Sequence, residues 1–237
     1  MAFPIRVLNN ANGAGSGGSI SIAATVAGNL LVVVLGGSGS VSGDVDTFTE
    51  VVPGSSPTIW YAVSVGGTTA INYSSSVPGC WFFEMTTPFA GWEFLNATTG
   101  AATLAATNQW SYNYPTANCT IQTAPAVAGD DGNCCYFTVM YGSDFYGNYP
   151  LIASASGDWR LHNHVFADNP FVTSSHMAIL MNGSGIQQFQ LWVHNNLTSA
   201  TPQSCLAAAF GTSGPVSGGG GPPPDTDEDL PNTFLNF

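Results

Sequence analysis

Short runs of β-branched and aromatic residues recur through most of this 237-residue chain, interrupted by Gly, Pro, Asn or Ser about every eight to twelve residues. Such side chains favour the pleated, half-buried surface of a strand, and turn residues at this spacing are typical of sandwiches and barrels. No stretch combines a 3.6-residue period with helix caps over three turns, and residues 100–107 form at most one short helix. The sequence therefore predicts an all-β fold.

The turn residues also suggest how the chain is divided. We expect an N-terminal arm (1–18), two β-sandwich halves (19–115 and 116–213) and a C-terminal linker with a docking peptide (214–237). The architecture expected is a jelly-roll-like or duplicated β-sandwich with a flexible C-terminal tail. The candidate strands are residues 5–8, 19–24, 29–35, 47–51, 58–64, 69–73, 80–85, 92–95, 119–122, 135–141, 151–155, 159–166, 176–181, 189–194 and 205–210.

A weak internal repeat supports duplication. Residues 27–34 (AGNLLVVV) resemble 131–139, 59–62 resemble 177–180, and 80–85 resemble 205–210. The offsets of 104, 118 and 125 residues increase along the chain, as insertions in loops would produce. The repeat predicts either two sandwiches or one jelly roll of paired β units, and apolar strands between glycine turns can also imitate one another.

Charge is scarce and one-sided. The chain has no lysine and only two arginines, Arg6 and Arg160, against 14 acidic residues, so the net charge is −12 although only 7% of residues are charged. Affinity for nucleic-acid phosphates and for anionic lipid surfaces depends on Lys and Arg. We therefore expect no nucleic-acid partner and no membrane partner. Cohesion then rests on apolar packing and neutral hydrogen bonds, which favours assembly over catalysis.

The cysteines are open to two interpretations, and the N-terminus lacks the pattern of a signal peptide. Five cysteines form an odd set without metal-ligand spacing, and they are either unpaired thiols or form one or two disulfides. A basic segment followed by an apolar one is missing at the N-terminus, so no signal peptide is expected.

The last 24 residues differ from the rest. Four glycines and three prolines precede an acidic segment, 225–229, which holds four of the 14 acids. Such a linker of sixteen residues reaches on the order of 20 Å. Apolar residues then end the chain, where tails are usually polar, and we expect this terminus to dock on a partner through Leu230, Phe234, Leu235 and Phe237.

No motif specifies catalysis. Residues 13–18 match G-x-G-x-x-G, but an alternating strand follows where a dinucleotide fold needs a helix. Asp130-Asp131-Gly132-Asn133 suits a turn better than a calcium loop, whose spacing it lacks. A glycoside hydrolase would need two facing carboxyls, which sequence leaves open. We expect no enzyme activity, no catalytic residue, no metal and no cofactor.

Two groups of residues are candidates for ligand binding. In a strand, Asp158, Arg160, His162 and His164 share one polar face, and Trp159, Leu161 and Val165 lie on the other. That face is solvated, forms a subunit contact, or binds a sugar or an acidic neighbour; zinc would need a third ligand. Aromatic residues suited to stacking on sugar rings or to oligomer contacts are Trp110, Tyr112, Tyr114, Phe145, Tyr146 and Tyr149.

The succession of AGNLLVVVLGG, TIWYAVSVGGTTAINYSS and CWFFEM, and a second half ending in QSCLAAAFGTSG, resembles β-sandwich modules of phage virion proteins. The resemblance covers residues 19–213. It implies a non-enzymatic structural protein of the virion, assembled in the host cytoplasm: a head-decoration, head-fibre or tail-associated subunit. Its partners would be further copies and other virion proteins. The alternative is a receptor-binding module that recognises a host surface glycan.

Overall fold

The computed structural model describes residues 5–89, 91–109, 118–123, 125–129, 133–142, 151–155, 160–164, 174–194 and 203–212. The backbone of these residues forms strands, turns and bends, with no helix. The all-β prediction is therefore confirmed. Residues 100–107, the one segment considered for a helix, instead lie inside a long strand.

Eight strands before residue 90 form a sandwich of two antiparallel sheets. The inner sheet has the order β1-β8-β3-β6-β5 and the outer sheet the order β2-β7-β4. Leu31, Val33 and Phe82 of the inner sheet pack against Ile71 and Tyr73 of the outer sheet. The strands of this first sandwich are β1 (Arg6–Gly13), β2 (Gly17–Ser21), β3 (Leu30–Leu35), β4 (Gly39–Gly43), β5 (Thr49–Glu50), β6 (Thr58–Val63), β7 (Ala70–Ser75) and β8 (Cys80–Thr86).

The strands after residue 90 form one eight-stranded sheet, of order β13-β17-β10-β9-β18-β12-β15-β14, and a two-stranded ribbon, β11-β16. The first part of β9 pairs with β18 and its last part with β10. Tyr136 of β12, Ala207 of β18 and Phe189 of β17 share one core. The strands of this second sandwich are β9 (Trp92–Gln109), β10 (Asn118–Thr123), β11 (Val127–Ala128), β12 (Cys134–Gly142), β13 (Leu151–Ala155), β14 (Arg160–His164), β15 (Ser174–Gly183), β16 (Ile186–Gln187), β17 (Phe189–His194) and β18 (Gln203–Thr212).

The two sandwiches have the same topology. The inner order β1-β8-β3-β6-β5 recurs as β9-β18-β12-β15-β14, and the outer order β2-β7-β4 recurs as β10-β17-β13. Corresponding strands follow one another in the same sequence along the chain. The fold is thus a duplicated β-sandwich, one of the two architectures that the sequence predicted.

The strand register corrects the sequence repeat by one residue. Leu30 pairs with Met85, and Cys135 pairs with Phe210. Met85 and Phe210 correspond at the offset of 125, so their partners Leu30 and Cys135 also correspond. The offset between β3 and β12 is therefore 105 residues, and the value of 104 taken from the sequence is wrong by one. Leu30 and Cys135 also face the same core.

The sandwiches pack together through their inner sheets, so that four layers enclose three cores. Phe83 lies against Phe137, with ring centroids 5.8 Å apart, and Tyr61 lies against Phe210 at 5.3 Å. The central core is formed by equivalent faces of the two inner sheets. This packing buries both faces of each inner sheet, which is why β3 is apolar at every position and fully buried.

Two segments are placed differently from the predicted division. Residues 6–13, expected in an N-terminal arm, are strand β1 and hydrogen bond to β8. Residues 92–109, expected in the first half, are strand β9, which pairs with β10 and β18 of the second sandwich. Residues 214–237 lie outside the described part of the chain.

Candidate functional site

One end of the double sandwich carries exposed apolar side chains. We call it the apolar end: there β3 and β12 begin, and β8 and β18 end. A contact between the sandwiches shows that both contribute to this end. The backbone N–H of Ile5 donates to Oδ1 of Asn182 at 2.9 Å, and Nδ2 of Asn182 donates to the carbonyl oxygen of Ile5 at 3.2 Å.

Exposed apolar side chains concentrate at the apolar end. Val65 is 70% exposed and Ile186 71%, the highest values among the large hydrophobic side chains that the structure describes. Every large hydrophobic side chain that is exposed in the described ranges lies in a connection at this end or in a strand close to it: Leu8, Val26, Val45, Val63, Val65, Phe94 and Ile186.

A buried carboxylate holds the loops of the first sandwich together at the apolar end. Asp46 is 4% exposed. Its Oδ1 accepts from the backbone N–H of Val65 at 2.7 Å, and its Oδ2 accepts from the hydroxyls of Thr68 at 2.7 Å and Ser64 at 2.9 Å. The hydroxyl of Thr25 lies 3.4 Å from Oδ2. Three connections, β2–β3, β4–β5 and β6–β7, therefore meet at one side chain.

Each of these connections carries an exposed valine directly beside a member of the network. Val26 follows Thr25, Val45 precedes Asp46, and Val65 follows Ser64. The network also closes on itself, because the backbone N–H of Thr68 donates to Thr25 Oγ1 at 3.1 Å. The buried polar groups thus fix the backbone from which the valines project, so the apolar surface is held in place rather than left to loop motion.

Glu84 supports the same loops from the inner sheet. It is 1% exposed, and its Oε1 accepts from the backbone N–H of Val26 at 2.8 Å and from Nδ2 of Asn29 at 2.7 Å. A buried carboxylate is costly unless it is hydrogen bonded, and these donors offset that cost. Asp46 and Glu84 are therefore engaged in holding the backbone, which is a structural task.

In the second sandwich, different groups hold the described connection at the apolar end. Ile186 lies in the connection between β15 and β17, which corresponds to the connection that carries Val65. The hydroxyl of Tyr136 and the backbone N–H of Gly129 both donate to the carbonyl oxygen of Gly185 at 2.9 Å. Ala209 takes the position of Glu84. In the described part of this sandwich, a tyrosine hydroxyl and a backbone N–H hold the connection that carries Ile186.

Among the described residues, the charged side chains exposed near this end are those of Arg6, Asp44 and Glu93. The hydroxyl of Thr69 donates to Asp44 at 2.7 Å, and this bond, with the backbone N–H of Thr69, holds the pKa of Asp44 below its ordinary value of 3.8. Asp44 is therefore ionised at neutral pH.

The opposite end has described connections only in the first sandwich, where they are polar. Its connections in the first sandwich are residues 14–16, 36–38, 51–57 and 76–79, rich in Gly, Ser and Pro. An open cleft of about 310 Å³ lies there between the sandwiches, lined by residues 52–56 and by Thr99, Gly100, Ser204 and Cys205. These lining residues include no charged side chain, and burial raises the pKa of the Cys205 thiol. The cleft thus offers hydroxyl and backbone groups and no reactive group.

Four of the five cysteines have described side chains, and all four are buried. Cys80, Cys134, Cys135 and Cys205 are thiols rather than disulfides, as the first of the two sequence-based alternatives held. Burial raises the pKa of Cys80 and Cys135 as well. These thiols are therefore packing groups of the three cores and not nucleophiles.

Two buried polar atoms beside the apolar end lack a hydrogen-bond partner among the described residues. They are the indole N–H of Trp92 and the hydroxyl of Thr212. The two residues are cross-strand neighbours at the start of β9 and the end of β18. A buried donor without an acceptor lowers the free energy of unfolding by about 1–3 kcal/mol, so these two groups destabilise the fold locally.

Of the predicted ligand-binding residues, only Arg160, His162 and His164 have a described backbone. They lie in β14, the edge strand of the large sheet, opposite Ile179, Met177 and Ser175 of β15. Ile179 and Met177 belong to the central core. Outside the described residues lie Trp110, Tyr112, Tyr114, Phe145, Tyr146 and Tyr149, and also the docking residues Leu230, Phe234, Leu235 and Phe237.

The apolar end was not among the sites predicted from the sequence. The signal that could have revealed it is the placement of single valines inside Thr-, Ser- and Gly-rich connections, as in Thr25-Val26-Ala27-Gly28 and Ser64-Val65-Gly66. Turn segments are ordinarily polar, and a β-branched residue there needs a reason. Sequence also does not show that Asp46 is buried while Asp44, two residues before it, is exposed.

Comparisons with known proteins found no match among protein-family models, curated proteins or solved structures. Within the described residues, no group of three or more His, Cys, Asp or Glu side chains is placed to hold a metal ion. The same part of the chain contains no helix that is long and apolar enough to cross a membrane.

Proposed function

We propose that this protein is a non-enzymatic structural subunit of a phage virion, of the head-decoration, head-fibre or tail-associated kind. It attaches through the apolar end and its C-terminal segment. The observation that carries the proposal is the set of exposed valines that buried hydrogen bonds hold in place at the apolar end. A body with apolar groups fixed at one end suits attachment through that end.

The rest of the molecule supports an assembly role. The two buried carboxylates of the first sandwich are taken up by hydrogen bonds that fix loops, and the described thiols are packed in cores. The apolar end also lies where the described chain stops at Thr212, so the acidic, apolar-ended segment begins beside it. Attachment surface and docking segment thus emerge at one place.

The test is incorporation into particles. The phage gene is replaced with one encoding a tagged full-length chain or variants of it, and purified particles are quantified for the tag. We expect full incorporation of the tagged chain, and at least a tenfold loss with Val26→Ser/Val65→Ser or on deletion of residues 222–237. Asn12→Val, which adds a valine near the opposite end of β1, should incorporate normally. A full-length chain that never joins particles would overturn the proposal.

A further inference from the structure

The exposed side chains of the apolar end are available for a contact in the free subunit. Val26, Val45, Val65 and Ile186 project from connections that buried hydrogen bonds hold in place. Because their backbone is held by these bonds, the side chains stay at the surface, where another apolar segment can cover them. The chain's own sequence offers a segment that fits.

We propose that, in the isolated subunit, the apolar end is covered by the C-terminal segment of the same chain, residues 230–237. This segment contains two phenylalanines and two leucines within eight residues, Leu230, Phe234, Leu235 and Phe237. In the particle the segment leaves its own subunit, and both surfaces then become available to neighbours. The cover goes beyond the proposed function, since it describes the chain before it assembles.

The position of the last described strand makes this contact geometrically accessible. Strand β18 ends at Thr212, at the apolar end, so the undescribed chain starts beside the surface that it would cover. Residues 213–229 connect Thr212 to Leu230. A Gly- and Pro-containing connection of that length has an r.m.s. span of about 21–25 Å. Four layers at about 10 Å spacing make the end about 30 Å across, so the segment reaches it from Thr212.

The tether favours the same chain over a second copy. A short linker gives its terminal segment a local concentration of the order of mM, above the usual concentration of a soluble subunit. Charge adds a smaller contribution in the same sense. Arg6 is exposed near the apolar end, and the acidic residues 225–229 directly precede Leu230. Asp44 and Glu93 oppose this, so the apolar contact carries the binding.

Hydrogen exchange of the intact full-length chain tests the cover. Amides of residues 232–237 should exchange at least about tenfold more slowly than in a free peptide of residues 222–237. The variant Val26→Ser/Val65→Ser should bring the exchange close to that of the peptide, and so should Phe234→Ser/Phe237→Ser. The control is Asn12→Val, which carries an added exposed valine near the opposite end and should keep the protection. Near-ultraviolet circular dichroism confirms that each variant remains folded.

Three outcomes would overturn the proposal. The first is exchange of 232–237 at the rate of the free peptide in the full-length chain. The second is protection that the two valine substitutions leave unchanged, since the segment would then bind elsewhere. The third is protection that rises with protein concentration over a hundredfold range, which would make a second copy the occupant. None of these outcomes bears on particle incorporation, so failure of the cover and failure of the proposed function are distinguishable.

Discussion

Replacing Asp46 by asparagine should destabilise the first sandwich far more than a surface charge change does. The substitution keeps the shape of the side chain and puts an amide N–H₂ where one carboxylate oxygen was. Its remaining oxygen can still accept from the backbone N–H of Val65. The hydroxyl of Thr68, 2.7 Å from Oδ2, then faces a donor and loses its acceptor.

The magnitude follows from the groups left unpaired. A buried donor without an acceptor costs about 1–3 kcal/mol, and a hydrogen bond to a charged group contributes about 1.5–3 kcal/mol. Ser64 can turn its proton to Thr25 Oγ1, which lies 2.9 Å away, and so recovers part of the loss. We therefore expect Asp46→Asn to lower the free energy of unfolding by about 2–4 kcal/mol, a large part of the stability of an ordinary domain.

The matched control lies two residues away. Asp44 also accepts hydrogen bonds, from Thr69 and Ala70, but it is exposed, and water replaces the lost acceptor in Asp44→Asn. Urea unfolding of both variants, followed by circular dichroism, gives the midpoints and slopes. Equal losses for the two variants, or a loss under about 1 kcal/mol for Asp46→Asn, would refute the idea that the buried carboxylate organises the loops.

Three further outcomes are expected from single positions. Asn182→Ala should cost about 1–3 kcal/mol in urea unfolding because it removes both hydrogen bonds to Ile5 and places alanine at a φ of 57°, whereas Asn182→Gly should cost less; an equal cost would count against backbone strain. Thr212→Val removes an unpaired buried hydroxyl and should be neutral or slightly stabilising in thermal unfolding, and a clear loss would reveal an ordered water. The pKa of Asp44 is depressed in the folded state, so its contribution to folding stability is present above pH 3.8 and is lost as the pH falls through the lower folded-state pKa. Below pH 3.8, the free energy of unfolding should therefore fall more steeply for the wild type than for Asp44→Asn.

The sequence predicted the class of fold well because turn residues and β-branched runs are local signals. It assigned strands where propensity and burial agree, as at β3 and β6. It missed β4 (Gly39–Gly43), whose GSVSG sequence has little intrinsic preference for a strand. Only Val41 is buried there, and pairing with β7 makes the strand. Likewise, β1 continues through Asn-rich residues to Gly13 because β8 lies beside it.

The one-residue error in the repeat has a specific cause. Segments such as LLVVVL in β3 and CCYFTV in β12 are apolar at successive positions, because both faces of the inner sheets are buried. A strand of this kind has no alternation that would reveal which residues face which core. Only cross-strand partners, such as Leu30 with Met85, determine the register.

The candidate site was harder to predict because its parts are distant in sequence. Thr25, Asp46, Ser64 and Thr68 become neighbours only when three connections meet. Serine and threonine are common in every loop of this chain, so nothing local distinguishes the ones that bind a buried carboxylate. The exposed valines are held at the surface by that same arrangement, so their role is also not visible in the sequence.

The repeated topology gives the apolar end an orientation. In a dimer of identical subunits, equivalent faces that meet across an interface leave a surface that looks the same after a half-turn. Here the equivalent faces belong to one chain, and its two copies have diverged: Glu84 and the Asp46 network fix the loops on one side, while Ala209 and Tyr136 stand on the other. A partner that contacts both sandwiches at this end has one favoured binding orientation. The molecule can therefore be held at a single rotation angle even by a partner that has no symmetry.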